Sequence, residues 1–459
     1  MIYKSADELS SNDVFAENNG YLLIKDKSCF RCHSVDALVN TIVFGESELV
    51  RNLSCWIACS AASEFNIFPA SIQGLYAARG RGEVAGFTVP AINLRTMTYD
   101  LARAIFRSAK KINAAAFIFE ITRGEIKYTA QRPIEYAAMV ILAAIKESYT
   151  GPLFLQADHF QVDANRYSRD KEVELSELKE LIAQAVAAGF YNIDVDSSTL
   201  TDISRRDLDG QQEENCRVCA DLTKFIRRIQ PSGVEISVGG EIGEIGGNNT
   251  TADELRAFMN GYRQELGSFT GISKISVQTG TCHGGVMLPD GTIAHVKLDF
   301  DTLKNLSDIV RNQYGLAGCV QQGASTLPNE AFHNFPEVGC AEIHLATQFQ
   351  NIVYDYLPIS LKERVYSWLK EHCSGERKPE HNTDAQFIYA VRKRALGIFK
   401  PEIFALKHDL KGKIAKAMED EIDFLFNMLN IKDTRTIVEK FVPLKVVTKH
   451  KEDFFPKAV

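Results

Sequence analysis

No window of this chain approaches roughly 18 uninterrupted apolar residues, so nothing in it reads as a membrane-spanning helix. Residues 1–17 carry acids and no apolar core, which excludes a secretory signal of the usual pattern and sets the cytoplasm as the expected location. Basic charge is not in excess either. Lys+Arg number 52 against Asp+Glu 59, a net charge of −7, which gives no general footprint for nucleic acid or an anionic membrane. Ten cysteines in 459 residues are too sparse for a disulfide framework, and in a reducing compartment they are expected to be thiols. Cys29-Phe30-Arg31-Cys32-His33 matches the c-type haem attachment pattern, but that chemistry needs export. Cys216 and Cys219 make a CxxC inside a helical stretch with no second pair at zinc-finger spacing. Both read as chance or packing. Solenoid repeats and low-complexity tracts are absent, and no Gly-rich fingerprint follows the first strand, which argues against a dinucleotide-binding open sheet.

What is present is an ordinary globular composition, 45% hydrophobic and 24% charged, carrying a regular alternation. Residues 1–70 lack a clear period and read as an N-terminal extension with a few short elements, one containing Trp56, Ile57 and Ala58. From Ser71 a rhythm sets in. Strands are expected over 86–93, 114–121, 152–158, 191–196, 234–239, 272–278, 317–321 and 341–345. Between them come helices or helical segments at 99–111, 133–149, 174–189, 216–230, 251–267, 298–314 and 328–339. Eight strands alternating with helices over this length is the pattern of a (β/α)8 TIM barrel, expected over 71–356. Residues 357–459 read as a helical C-terminal region, with helices at 361–371, 384–396 and 413–429, that caps the barrel or builds an interface.

The stretch Leu153-Phe154-Leu155-Gln156-Ala157-Asp158-His159 organises the reading. It is a buried parallel strand that delivers a carboxylate and an imidazole at its carboxyl end, where such barrels keep their chemistry. Other strand ends deliver Asn93, Thr122, Asp196 with Ser197, Glu241, His283, Gln322 with Ser325, and His344 with Thr347. On one rim, imidazoles and a carboxylate far apart in sequence can meet around a single ion, and that donor set suits zinc or a similar divalent metal. Gly-rich turns at 239–247, 279–285 and 323–325 suggest backbone approach to an anion.

These residues resemble the class II, metal-dependent fructose-bisphosphate and tagatose-bisphosphate aldolases. The resemblance runs through Pro90-Ala91-Ile92-Asn93, Asp158-His159, Asp196-Ser197-Ser198, Gly240-Glu241-Ile242-Gly243, Gly280-Thr281-Cys282-His283-Gly284, Gly323-Ala324-Ser325 and Thr347, and resumes near Phe399-Lys400-Pro401. It implies that His159 and His283 hold a divalent metal, zinc by the donor set, with Glu241 an alternative ligand. It implies that Asp158 hydrogen-bonds and protonates the acceptor carbonyl, and that Gly284, Gly323, Ser325 and Thr347 bind a phosphate, with a monovalent cation sometimes nearby. Asn93 is expected to touch substrate. A Lewis acid that polarises a ketone and stabilises an enediolate fits this set.

Three departures stand out. Gln322 occupies the position of the family's third histidine ligand, and a neutral amide binds a metal more weakly. His344 replaces an Asn on the last strand and is a candidate for the displaced ligand or a substrate contact. Asn248-Asn249 stand where some members carry a carboxylate base, leaving that base missing or moved to Asp253 or Glu254. The expected activity is a metal-dependent carbon–carbon lyase acting on a phosphorylated ketose other than fructose 1,6-bisphosphate, in a dimer or tetramer. The competing reading is an aldolase-like barrel without aldol activity that binds a sugar phosphate or serves as a structural subunit. Glu120 and Arg123 are expected substrate contacts, whereas Arg166, Arg169, Arg205 and Arg206 read mainly as solvated faces.

Overall fold

The computed structural model describes residues 1–459 other than 11, 19, 244–247, 281–286, 289, 291, 293–297, 380, 382 and 456–459. Eight parallel strands form its centre: β1 (Val89–Asn93), β2 (Ile118–Thr122), β3 (Gly151–Gln161), β4 (Asn192–Asp196), β5 (Ser237–Gly243), β6 (Lys274–Val277), β7 (Cys319–Gln321) and β8 (Glu342–Leu345). Each pairs with the next, and β8 closes on β1 with His344 opposite Ala91. This is a (β/α)8 barrel, and all eight expected strands are its staves. Their sequences are almost wholly buried, as parallel strands sandwiched between a barrel interior and a helical shell must be.

Helix boundaries differ from the sequence reading where capping decides them. The helix expected from Cys216 begins at Leu208, because the Asp207 side chain accepts from the Gly210 amide at 2.7 Å. The one expected over 328–339 is broken into a tight turn at Asn329–Ala331 and a short helix at Asn334–Glu337. Pro336 has no N–H to donate and tolerates only the first turn of a helix. At 384–396 the α-helix stops at Val391, and a tighter 3-10 turn covers Arg392–Ala395.

The flanking regions are built into the same core. N-terminal helices at Val35–Phe44 and Glu48–Ala61 pack on the helix Pro133–Lys146. Strand Ile67–Pro69 pairs in parallel with the start of β3, below β4. At the other end, helix His408–Met428 lies along Thr98–Lys111, joined by ion pairs Arg107–Glu419 at 2.5 Å and Lys411–Asp100 at 3.1 Å. One continuous cluster of buried side chains runs from Tyr3 to Phe454. No helix among the described residues is long and apolar enough to cross a membrane.

Candidate functional site

On a regular strand, Asp158 and His159 would point to opposite faces. The β3–β4 register shifts between Ala157 and Phe160, and His159 adopts φ +41°, the left-handed region that a non-glycine residue occupies at a cost of about 1–3 kcal/mol. The bulge turns both side chains into one rim cavity. A second register shift, between Glu241 and Gly243 on β5, lies in the same rim.

His159 Nδ1 lies 3.0 Å from Asp196 Oδ2 and 3.2 Å from Glu241 Oε2. Two donors about 2.0–2.1 Å from a tetrahedral ion sit roughly 3.3 Å apart, so this spacing fits one divalent cation. His159, Asp196 and Glu241 are among three groups of side chains, among the described residues, whose ligand atoms converge closely enough to hold an ion. Burial disfavours charge on His159, but Glu241 and Asp158 outweigh it and push the imidazole well above its usual range. A proton thus does in part what a cation would do. Asp196 accepts from Ser198 Oγ at 2.7 Å and Gln161 Nε2 at 2.5 Å. Burial would raise it, but His159 and these donors hold it low, as an anion.

Gln322 does not stand apart from this group. Its amide nitrogen donates to Glu241 Oε2 at 3.2 Å and to Ser276 Oγ at 3.1 Å. In this arrangement it steers the carboxylate. His344 keeps different company: Nδ1 is 3.1 Å from Asp158 Oδ1, and Nε2 is 2.7 Å from Glu342 Oε1. The convergent groups containing His344 comprise Glu120 with Glu342 and Asp158 with Asp194; neither contains His159. His283 and Gly284 lie outside the described residues.

Below the rim is a buried polar layer that the sequence reading missed. Lys274 pairs with Glu342 and, at 3.0 Å, with Asp194, and donates to Gln156 Oε1 at 2.7 Å. Gln156 Nε2 donates to Glu342 Oε1 at 2.7 Å and to Glu120 Oε2 at 3.1 Å, and the Tyr76 hydroxyl donates to Glu342. Burial and the nearby Asp158 carboxylate push Glu120 well above the usual carboxylate range. Asp158 behaves oppositely: burial would raise it, but His159 and His344 hold it well below that range. His344 is itself pushed up, against burial, by Glu120 and Asp158. Asp158 and His344 therefore form an anion–cation couple with its proton on the imidazole.

The cavity above holds about 350 Å³ and is lined by Asn93, Asp158, His159, Gln322, Gly323, Ser325, His344 and Thr347 from the strand ends. Asn93 donates to Glu125 at 2.6 Å, while its own side-chain oxygen is buried without a partner. Glu125 also caps its helix through Thr122 and pairs with Arg95 at 2.6 Å. Ser325 Oγ accepts from the backbone amides of Ala346 at 2.8 Å and Thr347 at 3.2 Å. The far wall comes from the C-terminal addition, through Lys378, His381, Gln386, Tyr389, Arg392 and Lys393. No local sequence signal pointed there.

Of the other expectations, some agree with the structure and some are corrected by it. Glu120 lines the cavity, but Arg123 pairs with Glu174 and donates to Gln161 O at 2.7 Å. Arg166 pairs with Glu177 at 2.6 Å and Arg205 with Asp202 at 3.3 Å, on solvated faces. Glu254 is the reciprocal partner of Thr251 in a capping box, and Asp253 pairs with Arg256 at 3.0 Å. Both serve the helix end. Gly239 is a strand residue whose missing side chain leaves room for ions: a Cβ there would lie 2.3 Å from Asp194 Oδ1 and 3.0 Å from Lys274 Cε. Cys216 and Cys219 are buried in their helix.

Residues 80–417 match the family described as fructose-bisphosphate aldolase class-II. No curated protein matches the chain. Among solved structures, the fructuronate-tagaturonate epimerase of Cohnella laeviribosi is 11% identical, covers 91% of this chain and 94% of its own, and gives a TM-score of 0.61. The fructose-bisphosphate aldolase of Campylobacter jejuni is 20% identical over 78% of this chain and 93% of its own, with a TM-score of 0.47.

Proposed function

The chain belongs to the class II fructose-bisphosphate aldolase family, and from that premise we propose that it makes or breaks a carbon–carbon bond in a phosphorylated ketose, with a specificity different from fructose 1,6-bisphosphate. The observation that carries this reading is the rim cavity itself. One convergent donor set, His159, Asp196 and Glu241, meets the cavity through His159, which lines it together with a separate acid–base couple, Asp158 and His344.

His159 and Glu241 would hold a divalent ion, zinc by the chemistry of the donors, with Asp196 as a ligand or as the anion that orients the imidazole. A bound ion supplies a Lewis acid beside a ketone oxygen, where negative charge collects as the bond breaks. Gln322 keeps Glu241 turned into the site through its amide hydrogen bond. Asp158, fixed on the bulge, accepts a hydrogen bond from the hydroxyl whose oxygen becomes the aldehyde. Asp158, the anion of the couple, takes that proton as the bond breaks and returns it when the bond forms, and the charged His344 beside it stabilises the carboxylate between the two steps. The unpartnered Asn93 oxygen is positioned to accept from another substrate hydroxyl. Gly323, Ser325 and Thr347 are proposed to receive a phosphate.

A second reading is epimerisation of a keto-sugar acid. It is favoured by the epimerase likeness, which takes in 91% of the chain. The same couple and donor set would serve, with the fragments rejoined on the opposite face.

The test is a screen of ketose phosphates and keto-sugar acids, following both fragments and epimers, before and after chelation. Turnover lost with chelator and restored by zinc is expected. Fragments identify a lyase and epimers an isomerase. No turnover of any member by metal-loaded protein would contradict both readings.

A further inference from the structure

A second cavity, of about 240 Å³, lies at the opposite end of the barrel from the rim. Strand Ile67–Pro69, which lines it, pairs with the first residues of β3, and Tyr191 immediately precedes β4. Its floor is therefore the amino end of the strands. Both ends of the chain supply the rest of the wall: the hairpin strand Tyr21–Ile24, the last turn of helix Glu48–Ala61, and a tail over 445–449 that has neither helix nor strand.

Lys449 in this wall is only 8% exposed, yet it forms no ion pair among the described residues. Its Nζ donates to two neutral acceptors, Ala187 O at 2.8 Å and the Tyr191 hydroxyl at 3.2 Å, and lies 5.3 Å from the centre of the Tyr191 ring. Those bonds use two of the three ammonium hydrogens. A lysine this buried normally has an anion, because neutral partners return only part of the lost hydration. The Ser60 hydroxyl, on the same wall, is buried with no partner at all. Lys445 adds a second positive charge from an exposed position, whereas the wall's one carboxylate among the described residues, Glu64, is paired with Lys27 at 3.3 Å. Between these polar groups the lining is apolar, from Leu22, Phe68, Pro69 and Val447.

We propose that this cavity binds a small amphipathic carboxylic acid, with its carboxylate on Lys449 and Ser60 and its hydrocarbon body against Leu22, Phe68 and Pro69. One spare ammonium hydrogen and one hydroxyl are donors suited to a carboxylate. A phosphate dianion would ask for more donors than these, and a sugar would leave its hydroxyls against apolar walls. The site is separate from the reaction at the rim and does not depend on it. A bound acid would tie the tail to the N-terminal hairpin, adding to the bond from the Trp56 indole to Lys449 O.

The test is calorimetric titration of the full-length protein with two amphipathic acids, benzoate and hexanoate, and with benzyl alcohol as the neutral control. Wild type is expected to bind at least one acid saturably, at one site per chain and about tenfold or more tighter than benzyl alcohol. Lys449→Gln should remove that advantage. Ser60→Ala should weaken acid binding about three- to tenfold while its Tm equals or exceeds that of wild type, because it deletes an orphaned buried polar group. A serine with only a structural role would do the reverse, lowering Tm and leaving binding alone. Arg392→Gln, which alters the rim cavity instead, should bind the acids as wild type does. If Lys449→Gln fails to fold, Ser60→Ala and the neutral control decide. No saturable binding of either acid, equally tight binding of benzyl alcohol, undiminished binding by a natively folded Lys449→Gln or by Ser60→Ala, or a loss confined to Arg392→Gln would each overturn the proposal.

Discussion

Asp158 and His159 share a cavity only because β3 is bulged between Ala157 and Phe160. The Asp-His dipeptide was visible as two polar residues at a strand end, but the bulge that lets both face inward was not, since no residue type encodes it. Their neighbours separate the two roles. His159 reaches Asp196 and Glu241, whereas Asp158 reaches His344. Asp158→Asn is therefore expected to retain bound metal and lose turnover by about 10²–10⁴-fold, the usual worth of a positioned acid–base group. His344→Ala should do likewise, because it removes the proton partner without touching the donor set. Metal content and initial rates measured on the same preparations check this. Loss of metal in His344→Ala would make that imidazole a ligand instead. Gln322, read from sequence as a weak substitute for a ligand, has its amide nitrogen toward Glu241. Residue identity named the position and contact geometry changed the role.

The barrel strands were legible because each is a short apolar run between helical stretches. The polar layer inside them was not. Gln156, Asp194, Lys274 and Glu342 look like ordinary strand positions until closure of the sheet brings them together. Lys274 is 1% exposed and neutralises two carboxylates. Lys274→Met should cost about 3–5 kcal/mol, because it leaves uncompensated buried charge. Gly239→Ala should cost about 1–3 kcal/mol, because its Cβ would enter the space of Asp194. Chemical denaturation of both variants measures these losses. Near-native stability in either would mean that this layer rearranges freely.

In the molecule as a whole, the additions at either end do different things. The N-terminal helices cover the helix Pro133–Lys146, and the Trp56 indole donates to Lys449 O at 3.0 Å, joining the two ends of the chain. The C-terminal segment supplies the cavity's far wall. Sequence reading recognised helices there but had no means of directing them at the rim, since Lys378, Gln386, Tyr389, Arg392 and Lys393 share a cavity with the strand ends only through folding over long separations. The central claim is that His159, Asp196 and Glu241 form the core of a divalent-metal site at the rim of a family aldolase barrel. Elemental analysis of wild type and His159→Ala, each purified without chelator and then titrated with zinc, tests it most directly. About one divalent ion per chain in wild type and none in the variant is the result expected. Wild type that neither carries a metal nor takes up zinc, or a variant that binds zinc equally well, would contradict the claim.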